Sequence, residues 1–262
     1  EIEGCWFYSA TGIFDEYINK YKKQKMESKG AKRTLAKLYL NNLYGKMAAS
    51  MESSFKVAFL KDNAIAFRTI PEEEKTPGYI AIGSAITSYA RCFTIKAAQA
   101  NYHGNERGFI YADTDSIHCD LTPEEVKGVT IHPSEFCCWK AESNWDFGIF
   151  ARQKTYIEHI THEDTELIEN TYFNIKCAGM PEHSKNLFEM SITGISKWFV
   201  DEYDIMCDEL GITNYSESEL DFLSQPRTLE DFKLGLEVPG KLIPKRIPGG
   251  VLLVDTPYKM RK

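Results

Sequence analysis

The 262-residue chain has no apolar run near the ~18–20 residues that a membrane-spanning helix requires. Nor does it open with the basic-then-apolar pattern of a secretory signal. No membrane partner is expected. Its seven cysteines are odd in number and contain no C-x-x-C pair, which argues against structural zinc and for a reducing, intracellular compartment. Internal repeats and low-complexity tracts are absent too. What is present is ordinary globular composition, 43% hydrophobic and 26% charged, which excludes wholesale disorder. A chain of this length can bury a sizeable core in one to two domains. It starts at Glu1 and has no methionine before Met26, so a piece of a longer protein is expected.

Excess positive charge is lacking as well, since the net charge is −7. That average conceals an asymmetry. Between Lys20 and Lys46 nine basic residues face one acid, Glu27, a local net of +8 that leaves −15 for the remainder. Between Asp201 and Asp221 there are eight acids and no base. A basic block set among acidic ones points to an anionic ligand at one place. The alternative is a solvated helix face.

The apolar spacing predicts a helix over residues 12–27, a stop at Ser28-Lys29-Gly30, and a second helix over about 31–49, together an antiparallel pair. Alternation on either side of Lys61-Asp62-Asn63 predicts a β-hairpin. Residues 79–102 carry Ile82, Ile86, Tyr89, Phe93 and Ala97 at helical spacing, and a buried core helix is expected there. Two short strands flank Asp113-Thr114-Asp115, and further strands are predicted at 156–160, 172–177 and 251–254. Residues 186–210 read as helical in part, interrupted at Gly194.

Two groups of residues carry chemistry. Asp113 and Asp115 are one residue apart at a hairpin tip, where extended geometry would send both carboxylates to the same side. Like charges so placed repel unless a cation joins them, and hard oxygen ligands suit Mg²⁺. The alternative for a D-x-D triplet is an Asx-type turn with two solvated acids. The second group is Arg33, Lys37, Asn41 and Tyr44, spaced i, i+4, i+8 and i+11 along one helix face. Two cations, an amide and an aromatic in line can meet phosphate, sugar and base. His118 and Cys119 read as core or edge residues, Cys137 and Cys138 as packing residues, and His159, His162 and His183 show no ligand spacing.

The K-x-x-x-N-N-x-Y-G stretch from Lys37 to Gly45, followed about 65 residues later by Tyr111-Ala112-Asp113-Thr114-Asp115-Ser116, resembles the two signature motifs of family B DNA polymerases. Within that family it is most similar to the protein-primed branch of small tailed bacteriophages. Three stretches support the resemblance: Arg152-Gln153-Lys154-Thr155-Tyr156, Lys176-Cys177-Ala178-Gly179-Met180, and residues 238–255 with their Pro-Gly-Gly.

The resemblance implies an α+β fold with an antiparallel palm sheet. It implies fingers over 1–49, a β-hairpin insertion over 50–83, a palm over 84–173, and a thumb over 174–262 with an acidic insertion around 184–227. Asp113 and Asp115 would be catalytic metal ligands. Lys25, Arg33, Lys37, Asn41 and Tyr44 would bind the incoming nucleotide, and Lys154 with Tyr156, both placed on one strand, would hold the primer strand. The implied cofactors are two Mg²⁺ ions, replaceable by Mn²⁺. The implied partners are template and primer DNA, dNTPs and a terminal protein primer, with the protein a monomer in the cytoplasm of the infected bacterium. Asn42 stands where the family's serine is usual. The upstream aspartate motif followed by S-L-Y-P and the exonuclease carboxylates are absent, and both would precede Glu1. A non-catalytic nucleic-acid-binding module is the competing reading.

Overall fold

The structure, a computed structural model, describes residues 10–49, 54–71, 78–104, 106–133, 135, 137–194 and 215–261. The chain divides into two compact units, residues 1–55 with 69–96, and residues 56–68 with 97–262.

In the first unit, α1 (Asp15–Glu27) and α2 (Gly30–Met47) form the expected antiparallel pair. Asp15 and Glu16 lie in the first turn of α1 and Lys25 in its last, matching the helix dipole. Gly30 has φ +58°, which only glycine adopts readily. It opens α2 there instead of closing α1, because Ser28 and Lys29 between the helices are extended. The pair is fastened by tyrosines: Tyr21 stacks on Tyr39 at 4.7 Å, and the Tyr17 hydroxyl donates to the Tyr39 carbonyl at 3.0 Å. Ala36 is fully buried, whereas Leu35 and Leu38 stay half exposed.

Helix α3 (Ile80–Ala100) is present as predicted, but its core position is not. Ile86, Tyr89 and Phe93 are exposed, Tyr89 at 79%. The buried positions are the small ones, Gly83, Thr94 and Ala97. A Cβ on Gly83 would sit 2.7 Å from the Ala48 Cβ, so close backbone approach, not the large apolar stripe, fixes the helix start. Periodicity identifies a helix without identifying what its stripe meets.

Strands β1 (Ser54–Lys61) and β2 (Ala64–Pro71) form the predicted hairpin, with Asp62 and Asn63 both at positive φ as a tight primed turn requires.

The second unit contains three more antiparallel groupings. Strands β3 (Phe109–Asp113) and β4 (Ser116–Cys119) make a short hairpin. Strands β5 (Ser143–Arg152), β6 (Thr155–Glu163) and β7 (Glu166–Cys177) make a three-stranded sheet with β6 central. Strands β8 (Glu237–Ile247) and β9 (Gly250–Lys259) make a long ribbon. The tips of two hairpins meet, since Gly249 N donates to the Asn63 carbonyl and Arg246 lies 5.4 Å over the Phe67 ring.

The core is built on β6 and β7 by Ile157, Ile175 and Cys177, and closed by Phe232, Val238, Tyr258 and Met260. Helices α4 (Glu182–Ile192) and α5 (Glu217–Ser224) lie within the stretch read as an acidic insertion, yet Leu187, Phe188, Phe222 and Leu223 fill this core. Helix α5 starts on a capping box between Ser216 and Glu219. The acidic run 201–210, and the helix predicted to continue past Gly194, lie outside the described residues.

Fully buried Asn101 joins the end of α3 to the loops leading into and out of the β3–β4 hairpin. Its amide donates to the Ala97 and Lys127 carbonyls at 2.8 and 2.9 Å, its side-chain oxygen accepts from Lys127 N at 2.8 Å, and its carbonyl accepts from Phe109 N. Replacing it with alanine strands both backbone groups of Lys127. Asn101→Ala should therefore lower stability by about 1–3 kcal/mol in urea unfolding. A change below about 0.5 kcal/mol, the size typical of unremarkable surface substitutions, would contradict this reading.

Candidate active site

Hairpin β3–β4 pairs Asp113 with Ser116 across the two-residue turn Thr114-Asp115. Thr114 has φ +47°, so the extended alternation expected across the triplet does not apply: Asp113 ends β3 and Asp115 sits in the turn itself. The turn is held locally. Thr114 Oγ1 donates to Asp113 Oδ1 at 3.0 Å, and Ser116 Oγ donates to the Asp113 carbonyl at 3.1 Å. Asp113 is partly shielded and Asp115 exposed.

Lys154 is brought to this tip. It was expected on a strand beside Tyr156, but it occupies the β5–β6 turn with φ +55°. A strand residue would stand on one face of the sheet, whereas the turn carries Lys154 toward the neighbouring hairpin. Its Nζ lies 3.7 Å from Asp113 Oδ2, and its backbone N donates to the Tyr111 hydroxyl at 2.9 Å. Its carbonyl accepts from Ala178 N at 2.9 Å, which ties in the Lys176–Met180 stretch. In this way three motifs far apart in sequence converge.

Tyr156, on β6, stacks on Phe150 at 5.3 Å and lies 4.9 Å from His118 and 5.5 Å from Tyr111. Burial pushes its phenol up to about 12, with the Glu158 charge adding to the shift, so the hydroxyl stays protonated at neutral pH. Arg152 reaches the Tyr258 hydroxyl at 3.3 Å, and that hydroxyl also meets Cys177 Sγ at 3.1 Å, which links the sheet to β9.

Sequence reasoning missed Glu158. It is buried on β6, accepting from His118 Nδ1 at 2.7 Å and from Asn174 Nδ2 at 3.0 Å. His118, read as a core or edge residue, is half buried and serves this carboxylate. Alternation could not reveal the pair. β6 buries Ile157 and Glu158 side by side, so both its faces are covered and a charge there no longer marks the solvent side.

Arg33, Lys37, Asn41 and Tyr44 are exposed along α2, and Lys25 is half buried in the last turn of α1. These five residues lie in the first unit, and Asp113, Asp115, Lys154 and Tyr156 in the second. Asp113 and Asp115 supply the hard oxygen donors that a magnesium-type ion takes. Among the described residues no third His, Cys, Asp or Glu gathers with them. By the chemistry of their donors they would serve as two ligands of such an ion.

Comparison with known proteins bears on this arrangement. Residues 1–128 match the family described as DNA polymerase type B, organellar and viral. The chain is 35% identical to the DNA polymerase of Bacillus phage phi29 over 99% of its own length and 40% of that protein's. It is 32% identical to the DNA polymerase of Streptococcus phage Cp-1, over 100% of its own length and 38% of the other's. The solved structure of phi29 DNA polymerase complexed with primer-template DNA and incoming nucleotide superposes with a TM-score of 0.68 at 33% identity, covering 96% of this chain and 38% of that one. The chain thus spans about two fifths of the length of the relatives it matches. Along nearly its whole length the chain is similar to these polymerases, and its first 128 residues match the type B DNA polymerase family.

Proposed function

We propose that the protein formed by this chain carries out template-directed DNA synthesis, transferring nucleotides from dNTPs to a primer 3′ hydroxyl. The observation that carries the reading is the approach of Lys154 to Asp113, with the Lys154 backbone fastened to Tyr111. A cation beside the carboxylate pair is where a primer's terminal phosphate and the nucleotide's triphosphate would meet. The relatives support it, being named DNA polymerases and including one solved with primer-template DNA and nucleotide.

A divalent metal is a general requirement of DNA polymerases, and here it is proposed to be two Mg²⁺ ions, with Mn²⁺ able to substitute. When bound, they supply Lewis acidity toward the primer hydroxyl and the triphosphate. The chain's own part is positioning and charge. Asp113 and Asp115 offer the oxygens. Lys154 holds the primer-end phosphate, and the neutral Tyr156 phenol packs beside sugar or base. Arg33, Lys37 and Lys25 offset charge on the triphosphate, while Asn41 and Tyr44 line its sugar and base.

Residues 1–49 would act as fingers, 50–83 as a strand-separating insertion, 84–173 as palm and 174–262 as thumb. The meeting of the Asn63 and Gly249 turns supports joint action of insertion and thumb on the template. Initiation on a terminal protein by a monomer, in the infected bacterium's cytoplasm, completes the proposal. The phage origin of the relatives supports the viral setting alone. The competing reading, a nucleic-acid-binding module without catalysis, draws on the lack of a third converging carboxylate among the described residues.

Templated primer extension by the full-length protein tests the reading: incorporation should occur and should vanish in Asp115→Asn. Incorporation that survives the substitution would contradict it. Three further outcomes are expected. Lys37→Ala should weaken nucleotide use by about 1.5–3 kcal/mol, roughly ten- to a hundredfold, with little change in duplex affinity. Equal losses in extension kinetics and DNA binding would make Lys37 a general DNA contact. Lys154→Ala should impair primer-end binding and flatten its salt dependence more than Tyr156→Phe does, because only the first removes a charge. Unchanged salt dependence would contradict that assignment. Finally, the 262 residues alone should bind nucleotide or DNA weakly without extending a primer. Extension dependent on Asp115 would show that two carboxylates suffice.

A further inference from the structure

We infer that Glu158 and His118 form a buried strut that positions the carboxylate hairpin. The inference rests on the polymerase reading and adds two positioning residues to it. A two-stranded hairpin as short as β3–β4 is not stable by itself, so its place must be set by contacts with the sheet beside it. The polar contacts that do this include three. The Lys154–Asp113 pair is long and largely exposed, and such pairs fix little. The bond from Lys154 N to Tyr111 holds the other strand. The His118–Glu158 bond is the shortest and most enclosed, with side-chain exposures of 15% and 2%.

The carboxylate is satisfied from both sides. His118 takes one oxygen and Asn174, on β7, takes the other, so the charge is anchored in the three-stranded sheet while His118 belongs to the hairpin. His118 follows Ser116 by two residues on β4, about 7 Å at a strand's rise, so a shift at the imidazole carries to the turn holding Asp115. The rings of Tyr111, Phe150 and Tyr156 enclose the imidazole at 4.9–5.4 Å and keep water from the bond. An apolar pair would fill the same space without the cost of burying a charge. A directional, charge-assisted bond adds defined position, and reacting groups displaced by 1 Å can lose about a hundredfold in rate.

The test uses the full-length protein and compares wild type, Glu158→Gln, and the double variant Glu158→Leu with His118→Phe. The double variant leaves no orphaned charge, and Asn174, only partly buried, can turn its freed amide to water, so it should melt near the wild-type temperature. Its single-nucleotide incorporation rate at saturating dNTP and Mg²⁺ should nonetheless fall tenfold or more. KM for dNTP and Kd for primer-template DNA should stay within about twofold. Glu158→Gln, which keeps an oxygen for His118, should recover most of the rate. A double variant at the wild-type rate would overturn the strut. So would a rate loss accompanied by equal loss of DNA binding or by a lowered melting temperature. An inert wild-type protein would overturn the polymerase reading, and the strut's role with it.

Discussion

Two like charges held one residue apart repel, and the hairpin that carries Asp113 and Asp115 has to contain that repulsion. It does so in layers. Thr114 takes a left-handed conformation and donates to Asp113, Ser116 closes the turn from the far side, and the Lys154 ammonium approaches Asp113 from the neighbouring turn. Exposed pairs of this kind are each worth little. Their arrangement leaves carboxylate oxygens available to a hard cation, which would relieve the repulsion outright.

Everything behind the hairpin serves to hold it still. The central strand β6 buries Thr155, Ile157, Glu158 and Ile160, so it is clamped on both faces, and the Lys154 turn projects from its start. Helices α4 and α5 close the far side with Leu187, Phe188, Phe222 and Leu223. Tyr258 ties Arg152, Cys177 and Ala178 to the last ribbon. Asn101 ties the entry to β3, through Phe109 N, to the Lys127 backbone beyond β4. A residue in the acidic turn is thus connected within a few bonds to a densely packed core, the condition that catalysis by positioning would require there.

The local patterns in the sequence were sufficient where structure is locally determined. The α1–α2 pair, the Asp62-Asn63 hairpin and the acidic turn between β3 and β4 follow from spacing and turn chemistry. Features settled by tertiary contact were not legible. The α3 stripe is strongly periodic, yet the contacts bury its small residues. Lys154 obeys a K-x-Y spacing that suits a strand, but a tight turn redirects it. Ser143–Arg152 mixes Trp, Asp, Gly and Phe without clean alternation and was not anticipated as β5. Glu158 reads as a surface charge until Asn174 and His118, far away in sequence, are seen to satisfy it. The acidic 184–227 stretch reads as a surface insertion because its charges outnumber the four apolar side chains that seat α4 and α5 in the core.

The central claim is that the Asp113–Asp115 turn and the Lys154 turn together form the place where metal and primer end meet. Localised hydroxyl-radical cleavage tests it most directly, with Fe²⁺ replacing Mg²⁺ in the full-length protein bound to primer-template DNA and nucleotide. Radicals generated at the ion cut only nearby backbone. The account predicts cuts in both segments, residues 111–116 and 153–155, each abolished in Asp113→Ala. Cleavage confined to other segments, or undiminished by that substitution, would contradict it.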